Sequence, residues 1–220
     1  MAVMAAAAEN GKADLAIPGA TDPGVIGDAV GYCSIRQDCF FIADSPGKRD
    51  KLTPLTDPAH AQDFLRNQIK NKTSYGALYY PWLEIPDPVG AGRNPRRFVP
   101  PSGFIAGLYA RIDTTRGVWK APAGTEANLI GPIGLEYSTT DSEQDILNPI
   151  GVNCLRYLQG RGFRVWGART ISSDPEWKYV NVRRYFNYLE ASIDRGTQWV
   201  VFEPNNEMLW ANVRGTVADF

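Results

Sequence analysis

The sequence predicts an α/β (α+β) fold, in which a mixed β-sheet is packed by helices within a single main domain that carries an extended N-terminal arm. Segments of helical and strand character alternate along the first half of the chain, and two strand patterns joined by a glycine turn lie between residues 152 and 170. The chain has 220 residues, of which 44% are hydrophobic and 21% charged, and this size and composition suit one folded domain.

The first third of the chain alternates between helix and strand patterns. Residues 1–24 are interpreted as an N-terminal arm or a cut end, because Pro and Gly interrupt the segment before the first helix pattern. A helix is expected over residues 25–36 and an apolar strand over residues 39–43. A second helix is expected over residues 57–70, with Asp57 as its N-cap.

The middle of the chain contains a strand and a helix between long loops. Residues 75–85 have the pattern of one strand, and Pro81 indicates that its far half lies at an edge or a bend. Ser102 is expected to cap a helix that ends near residue 113. A second loop then precedes a weak strand pattern over residues 129–137.

The second half begins with a short helix and a hairpin. Thr140 and Glu143 have the spacing of a capping box, so a helix is expected to start there. Residues 152–158 and 163–170 are expected to pair as two strands around a turn at residues 160–162.

The longest helix pattern covers residues 175–195, with Asp174 as its cap. Apolar residues recur along it at helical spacing, which places them on one face of the helix. This stripe consists of Val182, Phe186, Leu189 and Ile193. A short buried strand is expected over residues 199–202 and a last helix over residues 207–217.

Charge argues against a nucleic-acid-binding protein. The chain has 23 Lys+Arg and 24 Asp+Glu, a formal net charge of −1, whereas a nucleic-acid-binding surface carries a strong basic excess. The local basic run at residues 93–97 lies between glycines and prolines and is interpreted as a solvated loop.

Cysteine and histidine usage argues against most metal and nucleophilic sites. Three cysteines without a close CxxC pair favour buried free thiols over a disulfide framework or a zinc site. The single histidine, His60, lies in a polar helix start, where a capping or surface role is expected. No cofactor and no metal ion are therefore expected.

The sequence also lacks targeting signals. The N-terminus has no basic region of the kind that begins a signal peptide, and no stretch approaches the roughly 20 apolar residues of a membrane span. We therefore expect a protein that is synthesised in the cytoplasm and does not insert into a membrane.

Motifs of catalysis are sparse. The sequence contains no GxxxxGK[ST] or GxGxxG phosphate loop and no GxSxG nucleophile elbow. Paired carboxylates could support a small α/β hydrolase that uses Glu136 or Asp141. However, Asp141, Glu143 and Asp145 crowd the start of the expected helix, where negative charge complements the helix dipole. The structural role is favoured, and no catalytic residue is assigned.

Several segments closely resemble the contractile tail sheath proteins of myophages and of related contractile injection systems. The most specific is the run RVWGART at residues 164–170 together with SDPEWKYVNVRR at residues 173–184. The other similar segments are residues 77–83, 99–111, 117–123, 147–154 and 196–205. The resemblance runs in order from about residue 17 to the end of the chain.

The resemblance implies a sheath subunit without catalytic activity. Such subunits polymerise helically around an inner tube on a baseplate, and contraction of the sheath drives the tube through a target envelope. The partners that it implies are other sheath subunits, the inner tube protein and the baseplate. It places the assembled protein in a virion tail or an injection particle.

The resemblance also implies that residues 25–220 hold the sheath core domain without its usual C-terminal continuation, an arm that adds a strand to neighbouring subunits. An adaptor that binds a sheath without joining it is a second alternative, beside the hydrolase. The long loops are the expected interface regions, because contacts concentrate in the loops of a rigid domain. The candidate interface residues are Arg93, Arg96, Arg97, Trp119 and Lys120.

Overall fold

The computed structural model describes residues 5–9, 12–47, 58–90, 92 and 95–219. Its main sheet has six strands, which are β1 (Ala5–Glu9), β2 (Lys12–Ala16), β3 (Cys39–Asp44), β4 (Gly76–Tyr80), β8 (Val152–Leu158) and β9 (Gly162–Val165). They lie in the order β1-β2-β3-β4-β8-β9. The four inner strands are parallel, and β1 and β9 pair antiparallel at the two edges.

A smaller antiparallel sheet consists of β6 (Arg96–Val99), β5 (Leu83–Pro86) and β7 (Gly134–Leu135), with β5 in the middle. The α-helices are α1 (Pro23–Arg36), α2 (Pro58–Asp63), α3 (Ser102–Thr115), α4 (Asp141–Leu147), α5 (Val180–Gly196) and α6 (Glu207–Ala218). Two sheets packed by helices confirm the predicted α+β class with a mixed sheet.

Strand β3 lies at the centre of the core, and all six of its residues are buried. Successive side chains of a strand point to opposite faces. Phe41 and Ala43 accordingly belong to the cluster that α1 covers, whereas Phe40 and Ile42 belong to the cluster that α3 covers. This two-sided burial is typical of a parallel strand between helical layers.

Helix α3 forms where the sequence predicts it, but its N-terminus is capped differently from the prediction. Ser102 is the first helical residue, and no side chain of the preceding residue caps the helix. The carboxylate of Asp44 at the end of β3 instead accepts hydrogen bonds from the Ser102 N–H at 2.8 Å and the Ser102 hydroxyl at 2.7 Å. The prediction of Ser102 as cap was wrong, because a negative charge from another strand satisfies the helix N-terminus.

Two elements differ from their predicted form in the first half. The helix expected over 57–70 consists of α2 followed by a π-helical segment, Phe64–Gln68, and Asp57 lies outside the described residues. The single strand expected over 75–85 is divided between β4 and β5, which belong to different sheets. The division falls at Pro81, which has no N–H to donate to a neighbouring strand.

In the second half, the capping box of Thr140 and Glu143 and the β8–β9 hairpin are confirmed. The strands are shorter than predicted. Within the weak strand pattern at 129–137, the strand β7 covers Gly134–Leu135, and β9 ends at Val165.

Helix α5 begins later than predicted. The segment 169–179 forms a loop closed by a bridge between Arg169 and Tyr179, and the Thr170 N–H donates to the Lys178 carbonyl at 2.9 Å. The Asp174 carboxylate accepts from the Glu176 N–H at 2.9 Å. The bond from Thr170 occupies the Lys178 carbonyl, which a helix from residue 175 would need, and α5 starts only at Val180, so the predicted start and cap were wrong.

The buried strand predicted over residues 199–202 is absent from the described structure. Residues Gln198–Val200 form one turn of 3-10 helix, and no described strand pairs with them. A strand satisfies its backbone groups only beside a partner strand, so apolar composition alone did not make one here.

The described part of residues 1–24 adds strands to the main sheet. Strand β2 pairs in parallel with β3, and Ala16 is buried in the core. The boundary expected at residue 24 stays a prediction as a domain division.

Candidate interaction surface

The inner face of α5 is polar and buried. The side chain of Arg184 is 4% exposed and donates to two carboxylates. Its guanidinium donates to Asp14 of β2 at 3.1 and 2.7 Å, and to Asp113 of α3 at 3.0 and 2.7 Å. Paired bonds of this kind to a carboxylate are among the stronger hydrogen bonds in proteins.

Aromatic residues surround this charge. The Arg184 guanidinium carbon lies 4.3 Å from the ring centroid of Tyr109, whose hydroxyl is 2.5 Å from that of Tyr79. Burial opposes the charge of Arg184, but the two carboxylates outweigh burial, and the pKa of Arg184 is raised. Burial also raises the pKa of Tyr79 and Tyr109, because it disfavours the phenolate. The arginine therefore stays charged and the phenols stay neutral.

Arg183 and Asn187 complete the inner face. The Arg183 guanidinium carbon lies 3.6 Å from the Trp177 ring centroid and 4.4 Å from that of Tyr75, whose hydroxyl accepts from Arg183 at 2.8 Å. Burial lowers the pKa of Arg183. Asn187 donates to the carbonyl of Cys39 at 3.2 Å. Helix α5 therefore lies across the starts of β3 and β4 and is held there by hydrogen bonds and stacking.

The apolar stripe of α5 faces outward. Phe186 and Ile193 are exposed, and Val182 and Leu189 are half-buried. The reason is that Arg183, Arg184 and Asn187 each find partners on the sheet side, which a buried polar group requires. The sequence signal that could have found this inversion is the pair of arginines beside an apolar stripe.

The segment after α5 exposes further apolar side chains. Asn206 caps α6, which packs against α5, by accepting from the Leu209 N–H at 2.9 Å. We define the outer surface as the exposed apolar residues of α5, α6 and the segment between them. They are Phe186, Ile193, Trp199, Val201, Phe202, Met208, Trp210 and Val217, and Phe202 is 98% exposed. Exposed apolar groups collected on one part of a protein mark interaction sites.

The predicted basic interface residues lie on the smaller sheet where they are described. Arg96 and Arg97 are exposed on β6, 3.7 Å from Glu84 and 3.9 Å from Asp87. Arg93 lies outside the described residues. Ion pairs this long and exposed contribute little to stability, so both arginines stay available to a partner.

The other two predicted interface residues lie against α5. Trp119 is 61% exposed, its ring centroid is 6.5 Å from that of Tyr185, and its carbonyl accepts from Asn181 at 3.0 Å. Lys120 is half-buried and donates to the Ala121 carbonyl at 3.2 Å. The loop at 116–124 is thus fastened to the start of α5. The role of all five residues at an interface stays a prediction.

The acidic residues behind the hydrolase hypothesis have structural partners. Glu143 accepts from the Thr140 N–H and from the Tyr137 hydroxyl, and these bonds lower the pKa of Glu143. Asp141 pairs with Arg156 at 2.7 Å. Helix capping accounts for Glu143 and surface pairing for Asp141, so neither of these two carboxylates supports the hydrolase.

The thiols are free and buried, as predicted for Cys33, Cys39 and Cys154. Burial raises the pKa of Cys154 to about 12. Within the described ranges, no cluster of His, Cys, Asp or Glu could hold a metal ion. The same residues include no helix that is both long and apolar enough to cross a bilayer.

Two family models match the chain. The model for the phage tail sheath protein central domain matches residues 1–171, and the model for the phage tail sheath C-terminal domain matches residues 172–220. The tail sheath protein of Enterobacteria phage T4 is 28% identical over 209 residues, which cover 89% of this chain and 30% of that protein.

Solved sheath structures are similar along most of the chain. The anti-feeding prophage helical sheath in its contracted state matches with a TM-score of 0.71 and 31% identity, over 94% of this chain and 52% of that one. The sheath complex of an extracellular contractile injection system in its contracted state matches with a TM-score of 0.67 and 35% identity, over 82% and 46%. The chain thus spans about a third to a half of the length of these relatives.

Proposed function

This chain belongs to the phage tail sheath family, and we propose that it forms part of a contractile sheath subunit that polymerises helically around an inner tube. The observation that carries the proposal is the similarity to contracted helical sheaths along nearly the whole chain. The resemblance of residues 164–184 to sheath proteins is consistent with it.

The outer surface supports this function on physical grounds. A helical polymer needs contacts between different patches of neighbouring subunits, and each contact must bury apolar area to be stable. Exposed Trp199, Phe202 and Trp210 are the residue types that anchor such contacts. Contraction would then be a change between two arrangements of these contacts, driven by better contacts in the contracted state.

The partners of the whole protein follow from the same proposal. They are other sheath subunits, an inner tube protein and a baseplate, and the assembled protein resides in a virion tail or an injection particle after synthesis in the cytoplasm. The work comes from subunit contacts, so the protein acts without catalysis, cofactor, nucleic-acid binding or membrane insertion.

Negative-stain electron microscopy of the gene product that contains this chain tests the proposal. We expect tubes with helical striations when the product is purified and concentrated. Absence of tubes under all assembly conditions would contradict it. Binding of the product to the ends or sides of sheaths formed by a relative, without tubes of its own, would instead identify an adaptor.

Charge reversal tests the predicted basic residues within the same assay. Arg96→Glu with Arg97→Glu should reduce the number and length of tubes, because the pair would then repel an acidic partner surface. Arg161→Glu is the control, since Arg161 is also an exposed arginine and lies in the β8–β9 turn. If the double variant formed tubes as numerous and as long as those of Arg161→Glu, Arg96 and Arg97 would not belong to the interface.

A further inference from the structure

The Arg184 triad, which consists of Arg184, Asp14 and Asp113, connects parts of the chain that are far apart in sequence. Asp14 lies in β2, 170 residues before Arg184, and Asp113 lies near the end of α3. The triad therefore joins the hairpin β1–β2, helix α3 and helix α5 through one guanidinium.

Each member of the triad depends on the others. Asp14 is buried, and Asp113 is half-buried in the last turn of α3, where a negative charge is unfavourable with respect to the helix dipole. Without Arg184, two carboxylates would face each other in a site of low water content. Removal of one partner from a buried ion pair costs far more than the pair's net contribution to stability.

The triad lies between the hairpin at the edge of the main sheet and the helix that carries part of the outer surface. Strand β1 is the edge of the main sheet and is held to the rest of the sheet through β2 alone. Helix α5 carries part of the outer surface, and its inner face contacts β2 and β3. The triad is the described polar contact that links β2 directly to α5.

We propose that the Arg184 triad couples the N-terminal hairpin β1–β2 to α5, so that the two segments dock and open together. A contact made at the sheet edge then affects the outer surface on the other side of the triad, and the reverse also holds. This coupling is a property of the chain itself and does not depend on sheath formation.

Hydrogen exchange followed by mass spectrometry on the 220-residue chain tests the coupling. Arg184→Met should raise exchange in peptides over α5 and over β2 together, by about tenfold or more, because both segments lose the same buried contact. Peptides over β8 and β9 report opening of the rest of the core and serve as the internal reference, and their exchange should rise by a smaller factor than that of α5 and β2. Faster exchange in α5 with unchanged exchange in β2 would overturn the proposal.

Two further variants keep the test decisive. Asp113→Asn retains the shape of the site and should raise exchange in the same two segments by a smaller factor, which decides the question if Arg184→Met does not fold. Arg214→Met removes an exposed arginine from α6 and should leave exchange in β2 unchanged. Parallel changes in β2, β8 and β9 in Asp113→Asn would indicate global opening and would also overturn the specific coupling.

Discussion

Helices α3 and α5 both pack beside the main sheet, yet they bury opposite kinds of surface. Helix α3 buries Ile105, Leu108 and Ile112 as its apolar spacing predicts. Helix α5 buries Arg183, Arg184 and Asn187, while its apolar stripe lies on the outside.

The difference shows what an apolar stripe does and does not predict. Periodic apolar residues indicate a face that some partner covers, but they do not say that the partner is the nearest sheet. A polar face can take the inner position when its charged groups are hydrogen-bonded and stacked, as Arg184 is by two carboxylates and Tyr109. The outer face of α5 is then partly exposed in the described structure.

The largest expected effect is on the inner face of α5. Arg184→Met should lower the free energy of unfolding by about 3–5 kcal/mol, because it removes a buried guanidinium that donates to both Asp14 and Asp113. Urea denaturation followed by tryptophan fluorescence measures the change. If the free energy of unfolding fell by less than it does for a typical surface substitution, the polar face would not be what holds α5 in place.

The apolar face of α3 should respond almost as strongly. Leu108→Ala removes a fully buried side chain and should cost about 2–5 kcal/mol through lost transfer energy and a cavity. The same denaturation experiment applies. Leu108→Ala could leave the free energy of unfolding almost unchanged while Arg184→Met lowers it strongly. That result would mean that polar contacts hold both helices in place.

The outer stripe of α5 should respond weakly in the isolated chain. Ile193 is 38% exposed, so Ile193→Ala should cost about 1 kcal/mol or less. A loss as large as that of Leu108→Ala would mean that the stripe is packed and that the inner and outer faces of α5 are misassigned.

The smallest effect on stability is expected at Phe202, which is almost fully exposed. Phe202→Ser should change the free energy of unfolding by no more than about 0.5 kcal/mol. In the gene product that contains the chain, the same substitution should reduce tube formation seen by electron microscopy, since the outer surface loses its most exposed aromatic group. Normal tubes would remove Phe202 from the interaction surface.

Elements whose determinants are local could be predicted from the sequence. The buried strand β3, the capping box at Thr140 and the glycine turn between β8 and β9 each depend on a few neighbouring residues. The family was identified from the resemblance of several segments, such as residues 164–184, to tail sheath proteins.

Elements decided by distant partners could not be predicted. The cap of α3 comes from Asp44, 58 residues earlier, and the rotation of α5 depends on Asp14, 170 residues earlier. The segment at 199–202 has strand composition but no described strand beside it. In each case the predicted and the observed structures differ in contacts with residues far away in the sequence. A short stretch of sequence does not contain those residues.

The rotation of α5 is tested most directly by thiol labelling at two neighbouring positions. Phe186 is exposed and Asn187 is buried, and the three native cysteines are buried. In the folded chain, Phe186→Cys should react with a maleimide at nearly the rate of a free thiol, whereas Asn187→Cys should react only when the helix opens. Fast labelling at 187 with protection at 186 would show that the apolar stripe faces the sheet and would contradict the account.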